Sequence, residues 1–251
     1  MKTAVVLGWP IEHSKSPQIM NAAFAACGID AEMIRVGVPP DQFAAKLGEL
    51  RVLPMLGASV TIPHKLAAHD LADELSPAAR QIGAVNCLEL RDGRLIGHNT
   101  DAPGFVDALP RSPKRVVLIG AGGAARAVAY GCTQIGARVD VVARTPAKIS
   151  WITAHAFDAL PAVLNGADLV VDCTSAGLTN ADLDVPITLI PHDAIVATLV
   201  YSSTKWLQRA AERGYSTLDG KMMLVHQAAR AFKIWTSHDA PLDVMTASIQ
   251  A

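Results

Sequence analysis

The sequence has little excess charge, few aromatics, few cysteines and no long apolar run. Lys and Arg number 22 against 23 Asp and Glu, and no block of like charge interrupts the 251 residues. That balance argues against a nucleic-acid surface or a basic membrane-surface helix. The four cysteines, Cys27, Cys87, Cys132 and Cys173, lie far apart with no CxxC pair. Such spacing suggests no metal site and fits reduced cytoplasmic thiols better than a disulfide framework. No apolar run approaches a membrane span. The short run over 4–7 is followed too soon by Pro10, Glu12, His13 and Lys15 for a signal peptide. A cytoplasmic protein with no membrane partner is expected.

What is present is half hydrophobic and rich in alanine, glycine and valine, which suits α/β architecture. The chain is organised around residues 115–148. An apolar, β-branched run over 116–119 reads as a strand buried on both faces. Gly120, Gly122 and Ala125 follow at the spacing of the dinucleotide fingerprint, with alanine at the third place. The first glycine permits a tight turn, the second lets backbone approach a pyrophosphate, and the small third residue lets helix pack on strand. The helix then offers free N–H groups to an anion. It runs over 127–135 to Gly136, and 139–143 is the next strand.

The end of that second strand bears on cofactor choice. An acid there suits the ribose hydroxyl of NAD, a cation the 2′-phosphate of NADP. This chain has Arg144, Thr145 and Lys148, while Asp140 lies too far back along the strand. A solvated basic loop is the alternative; the residues favour NADP.

Upstream, a strand over 3–7 leads into a polar loop in which Ser16 and Pro17 read as N-cap and N1 of a helix. Ser14 has no capping role to explain it, and with Lys15 it suggests a binding loop. A strand over 32–36 and a helix over 41–50 follow, then a strand over 55–62 in which Ser59 and Thr61 alternate with apolar residues. Lys65 opens the next helix against the helix dipole, a placement that hints at function. His64 and His69 read as surface residues. Asn86, near the start of a strand over 83–90, needs a partner for its amide. Asp92 and Gly93 close a hairpin. Thr100 and Asp101 have an ordinary reading as caps of the helix over 103–109. Residues 110–114 form the only obvious linker, and a domain boundary is expected near them.

After Lys148 comes a second mononucleotide half, with strands over 168–173 and 194–200 and a loop over 174–177 at the C-terminal end of the first. Gln227 interrupts the apolar stripe of a long helix over 222–235, where a locally satisfied core amide is the plain reading. A last helix spans 242–249.

Together these segments resemble the shikimate dehydrogenase family over nearly the full length. His13-Ser-Lys-Ser-Pro17 matches its first substrate loop, and Val60-Thr-Ile-Pro-His-Lys65 its V-T-x-P-x-K segment. Gly83-Ala-Val-Asn86 and Asn99-Thr-Asp101 match the next two, and Gly120-Ala-Gly-Gly-Ala with Arg144-Thr145 its NADP loop and basic clamp. The resemblance implies an α/β substrate domain over 1–101 and 221–251, a Rossmann domain over 102–220, and C-terminal helices packed on the first domain. It implies NADP-dependent reduction of 3-dehydroshikimate to shikimate in aromatic amino acid biosynthesis, by a monomer or homodimer. Lys65 and Asp101 would be the catalytic pair. Ser14, Ser16, Thr61, Asn86, Tyr201 and Gln227 would bind the hydroxy-acid substrate. Gly120, Ala121, Gly122, Gly123, Ala124, Arg144, Thr145, Lys148 and Leu199 would hold NADP, with Thr174 and Gly220 lining the nicotinamide.

The chain departs from the family pattern in places. Ser59 stands for asparagine, Cys87 for threonine and Met222 for glycine. The D-L-V-Y-N-P loop reads Thr198-Leu-Val-Tyr-Ser-Ser203, and N-A-T-S reads Asp172-Cys-Thr-Ser175. Quinate or an aminoshikimate as substrate, or a non-catalytic dinucleotide-binding regulator, remain alternatives.

Overall fold

Alternating strands and helices build two separate six-stranded sheets in the computed structural model, which describes residues 1–178 and 181–250. The chain divides into two units, Met1–Gly104 with Leu224–Ala251, and Phe105–Met223. Residues 110–114 lie within the second unit. The passages between units fall inside two helices, α5 (Asp101–Ala108) and α9 (Lys221–Thr236).

The first unit begins β1 (Lys2–Gly8), α1 (Ser16–Ala26), β2 (Ala31–Gly37), α2 (Phe43–Leu50), β3 (Met55–Val60) and α3 (Lys65–Leu71). It continues with β4 (Glu74–Leu75), α4 (Pro77–Ile82), β5 (Cys87–Arg91), β6 (Arg94–His98) and the start of α5. Sheet order is β2-β1-β3-β5-β6-β4. β1 runs parallel to β2 and β3, whereas β5 is antiparallel to β3 and β6. The β5–β6 hairpin turns on Asp92 and Gly93, both at positive φ, as the expected Asp-Gly turn requires. Val5, Leu7, Ala58, Val60 and Leu88 bury one face against α2 and its neighbours. On the other face α9 lies close, because Gly57 leaves room for Trp235, whose indole N–H donates to Leu88 O at 3.0 Å. The last helix, α10 (Leu242–Gln250), packs beside α1.

The second unit contains β7 (Arg115–Ile119), α6 (Gly123–Gln134), β8 (Arg138–Val142), β9 (Ala154–His155), α7 (Leu160–Val163) and β10 (Leu169–Asp172). β11 (Ile195–Thr198), α8 (Lys205–Glu212) and β12 (Ser216–Leu218) complete it. The sheet is wholly parallel in the order β12-β11-β10-β7-β8-β9. That is the doubly wound Rossmann order, with its switch point between β7 and β10. Successive residues of these strands face opposite cores. Val117, Ile119 and Val170 join one cluster, and Val116, Leu118 and Val171 the other. This explains their unbroken apolar runs.

Some local expectations change. Lys15, not Ser16, is the N-cap of α1, and it makes no side-chain cap. Ser16 is the first helical residue, and its N–H instead reaches Ser14 Oγ at 3.4 Å. At the start of α5 the side-chain bond to the helix comes from Asn99, whose Oδ1 accepts from Ala102 N at 3.2 Å, while Thr100 O accepts the bond from Gly104 N. His64 is not on the surface. It is 2% exposed, stacked on Phe43 at 4.2 Å between ring centroids.

Candidate active site

Lys65 and Asp101 meet in the first unit. Lys65 is the first residue of α3, after the strand end and loop 61–64, and Asp101 is the first of α5. Their side chains pair at 2.5 Å, Nζ to Oδ2, and are 13% and 6% exposed. A buried ion pair of this kind is costly unless its remaining lone pairs are satisfied. Asn86 supplies that, donating from Nδ2 to Asp101 Oδ1 at 3.0 Å. The same amide nitrogen reaches Thr100 Oγ1 at 2.8 Å and Gln227 Oε1 at 3.2 Å, while Asn86 Oδ1 accepts from Thr100 N at 2.7 Å. Gln227 Nε2 in turn donates to Leu224 O at 2.8 Å. Its amide is thus satisfied locally and also tied to the site.

The backbone around this pair is fixed by the sheet. Val60 N donates to Asn86 O, Thr61 N to Leu7 O, and Val85 N to Lys65 O. These bonds gather the ends of β1 and β3, the start of α3 and the approach to β5. Ser14, Ser16 and Thr61 lie on loops or helix starts of the same unit; Ser16 is buried and the other two half-buried. Tyr201 is half-buried in the second unit.

Two residues were missed from sequence. Gly104 sits in α5 where a Cβ would stand 2.7 Å from Gln227 N and 2.9 Å from Gln227 Cβ. Its missing side chain lets α5 approach the helix that carries Gln227. A glycine inside a helix start, costly in propensity, was the available signal. His64 is the second. Its ring donates to Val38 O at 2.7 Å, and burial pushes its pKa below the ordinary value, against the carbonyl bond that raises it.

The second unit carries the dinucleotide features at the C-terminal ends of its strands. Gly120 follows β7 with φ +103°, and a Cβ there would lie 3.1 Å from Thr174 Cγ2 and 3.3 Å from the Cys173 carbonyl carbon. Thr174 follows β10, so both residues stand at the switch point. Gly122 caps α6, with open space where its Cβ would be. A pyrophosphate needs that room beside the helix N-terminus. Ala121 completes the turn, and Gly123 and Ala124 are the first residues of α6. Arg144, Thr145 and Lys148 follow β8 and are exposed. Among the described residues neither Arg144 nor Lys148 has an ion-pair partner. Gly220 is forced by the Leu199 carbonyl, which would collide with any Cβ. Asp172, buried at the end of β10, accepts from Thr174 N at 2.9 Å and shapes that loop; burial pushes its carboxyl up from the usual range. Among the described residues no cluster of metal-ligating side chains occurs and no helix is long and apolar enough to cross a membrane.

Comparison with known proteins follows the same division. The shikimate dehydrogenase substrate binding domain matches residues 6–88, and the shikimate 5′-dehydrogenase C-terminal domain matches 223–250. An NAD(P)-binding domain matches 108–183. The shikimate dehydrogenase (NADP(+)) of Symbiobacterium thermophilum is 39% identical, covering 98% of this chain and 93% of that protein. The enzyme of the same name from Methylobacterium radiotolerans is 43% identical, over 92% of this chain and 90% of the relative. The crystal structure of shikimate 5-dehydrogenase from Thermus thermophilus, in complex with NADP(H) and shikimate, aligns with a TM-score of 0.90 at 33% identity. It covers 100% of this chain and 99% of that one.

Proposed function

The chain belongs to the shikimate dehydrogenase family, and we propose that it interconverts 3-dehydroshikimate and shikimate with NADP, using Lys65 and Asp101 as the catalytic pair. The observation that carries the assignment of residues is the enclosed Lys65–Asp101 contact, held on its far side by Asn86.

The second unit fits NADP. The glycine turn leaves space at the α6 N-terminus, and the free cations after β8 suit a 2′-phosphate. When bound, the dinucleotide supplies or takes up the hydride. The protein must manage the charge and the proton. Reduction of a ketone leaves an alkoxide, which needs a proton and a nearby positive charge. The Lys65 ammonium provides both. In the oxidative direction the lysine amine takes the proton back. Asp101 Oδ2 holds Nζ in place, and Asp101 Oδ1 stays engaged by Asn86, so neither catalytic group needs to reorganise during turnover. Ser14, Ser16, Thr61, Asn86, Tyr201 and Gln227 bind the ring hydroxyls and carboxylate. All four cysteines are free thiols, which suits a reducing compartment, and we place the enzyme in the cytoplasm.

The test is NADPH oxidation with 3-dehydroshikimate, and NADP reduction with shikimate, quinate and aminoshikimate, at neutral and alkaline pH. Lys65→Ala should lower kcat by roughly 10²–10⁴-fold, the range for a lost general acid, with NADPH affinity unchanged. Unchanged turnover in that variant sinks the assignment. NADPH binding without turnover of any ring acid would instead support a non-catalytic regulator.

A further inference from the structure

We propose that Thr100 is a positioning residue that clamps both ends of the Asn86 amide and thereby fixes Asp101 against Lys65. The inference rests on the Lys65–Asp101 assignment and adds a residue to it.

The geometry is specific. Thr100 N donates to Asn86 Oδ1 at 2.7 Å, and Thr100 Oγ1 accepts from Asn86 Nδ2 at 2.8 Å. A backbone N–H can only donate, so it settles which end of the Asn86 amide is oxygen. The nitrogen must then face the cluster of acceptors formed by Thr100 Oγ1, Asp101 Oδ1 and Gln227 Oε1. The reverse orientation would set Oδ1 against a carboxylate and an amide oxygen. Thr100 is 3% exposed and Asn86 also 3%, so water cannot easily replace either contact. Asn86 Nδ2 has two hydrogens for three acceptors. Thr100 Oγ1 takes the shortest of these bonds, which turns the amide plane and sets the angle at which Asp101 Oδ1 is met. Asp101 has its other oxygen on Lys65. One residue thus sets the amide, the amide sets the carboxylate, and the carboxylate sets the ammonium. Thr100 itself need not touch the substrate.

Thr100→Val keeps the backbone donor and the shape but removes Oγ1. Thr100→Ser keeps Oγ1 and removes a methyl group. The clamp predicts that Thr100→Val lowers kcat about tenfold, with the KM for NADPH within twofold of wild type. Thr100→Ser should restore kcat to within twofold. Wild-type kcat in Thr100→Val would overturn the clamp. So would equal losses in both variants, since they would point to packing of the methyl group. Lys65→Ala, run alongside, separates the two levels. If it keeps turnover, the catalytic pair itself is wrong. If it loses turnover while Thr100→Val does not, only the clamp fails.

Discussion

Gly104 and Gln227 are in backbone-close approach: a Cβ on Gly104 would stand 2.7 Å from Gln227 N. The contact joins the helix that begins at Asp101 to the one that carries Gln227. Gly104→Ala must push them apart or strain both. Overpacking of this kind costs about 1–3 kcal/mol, set against about 1 kcal/mol gained in helix propensity. The expected result is a lower melting temperature and a several-fold higher KM for 3-dehydroshikimate, with NADPH binding unchanged. Gly48, exposed in α2 with nothing within 4 Å of its would-be Cβ, is the control. Gly48→Ala should raise the melting temperature by about 2 °C. The same sign of change in both variants would refute the packing argument.

Arg144 and Lys148 predict cofactor discrimination. Both are exposed after β8, and among the described residues neither is neutralised by an acid. A charge-assisted bond is worth about 1.5–3 kcal/mol, or roughly 10–100-fold in affinity. Arg144→Ala should therefore raise the KM for NADPH by about that factor and leave the KM for NADH nearly unchanged. Steady-state kinetics with both cofactors checks this. Equal losses with NADPH and NADH would remove the 2′-phosphate role from Arg144.

Much of the second unit was legible because its signals are local. An apolar strand, a glycine turn and a helix succeed one another within residues 115–136, and the structure places them in that order, with the helix starting earlier, at Gly123. Short strands such as β4 and β9, two residues each, carry no periodicity and were invisible. The segments carrying Lys65, Asn86 and Asp101 stood out in the sequence, but the contacts between them are not local. The Asn86–Gln227 bond spans 141 residues, and the contact of Gly104 with Gln227 is also far from local. Ser59 and Cys87, two separate departures from the family pattern, prove to be a cross-strand pair. His64 was misread because its neighbours Pro63 and Lys65 are polar-loop residues, while its burial comes from Phe43 and Val38 on another segment.

His64 makes stability depend on pH. The Val38 carbonyl can only accept, so His64 Nε2 carries the hydrogen. The neutral ring stacks flat on Phe43, at an interplanar angle of 3°. Burial holds its pKa below the ordinary value of an exposed imidazole. The unfolded chain therefore takes up this proton first as pH falls. The contribution of His64 is complete above about pH 6.5, the unperturbed value, and is lost progressively on acidification below it. Thermal unfolding should show a melting temperature that falls between pH 7.5 and 5.5. His64→Phe keeps an aromatic ring against Phe43 but leaves the buried Val38 carbonyl without its donor. It should melt lower at pH 7.5, yet lose less on going to pH 5.5. The other histidines are common to both proteins, so the difference in slope isolates His64. Parallel slopes would show that protonation of this ring is not what weakens the start of α3 in acid.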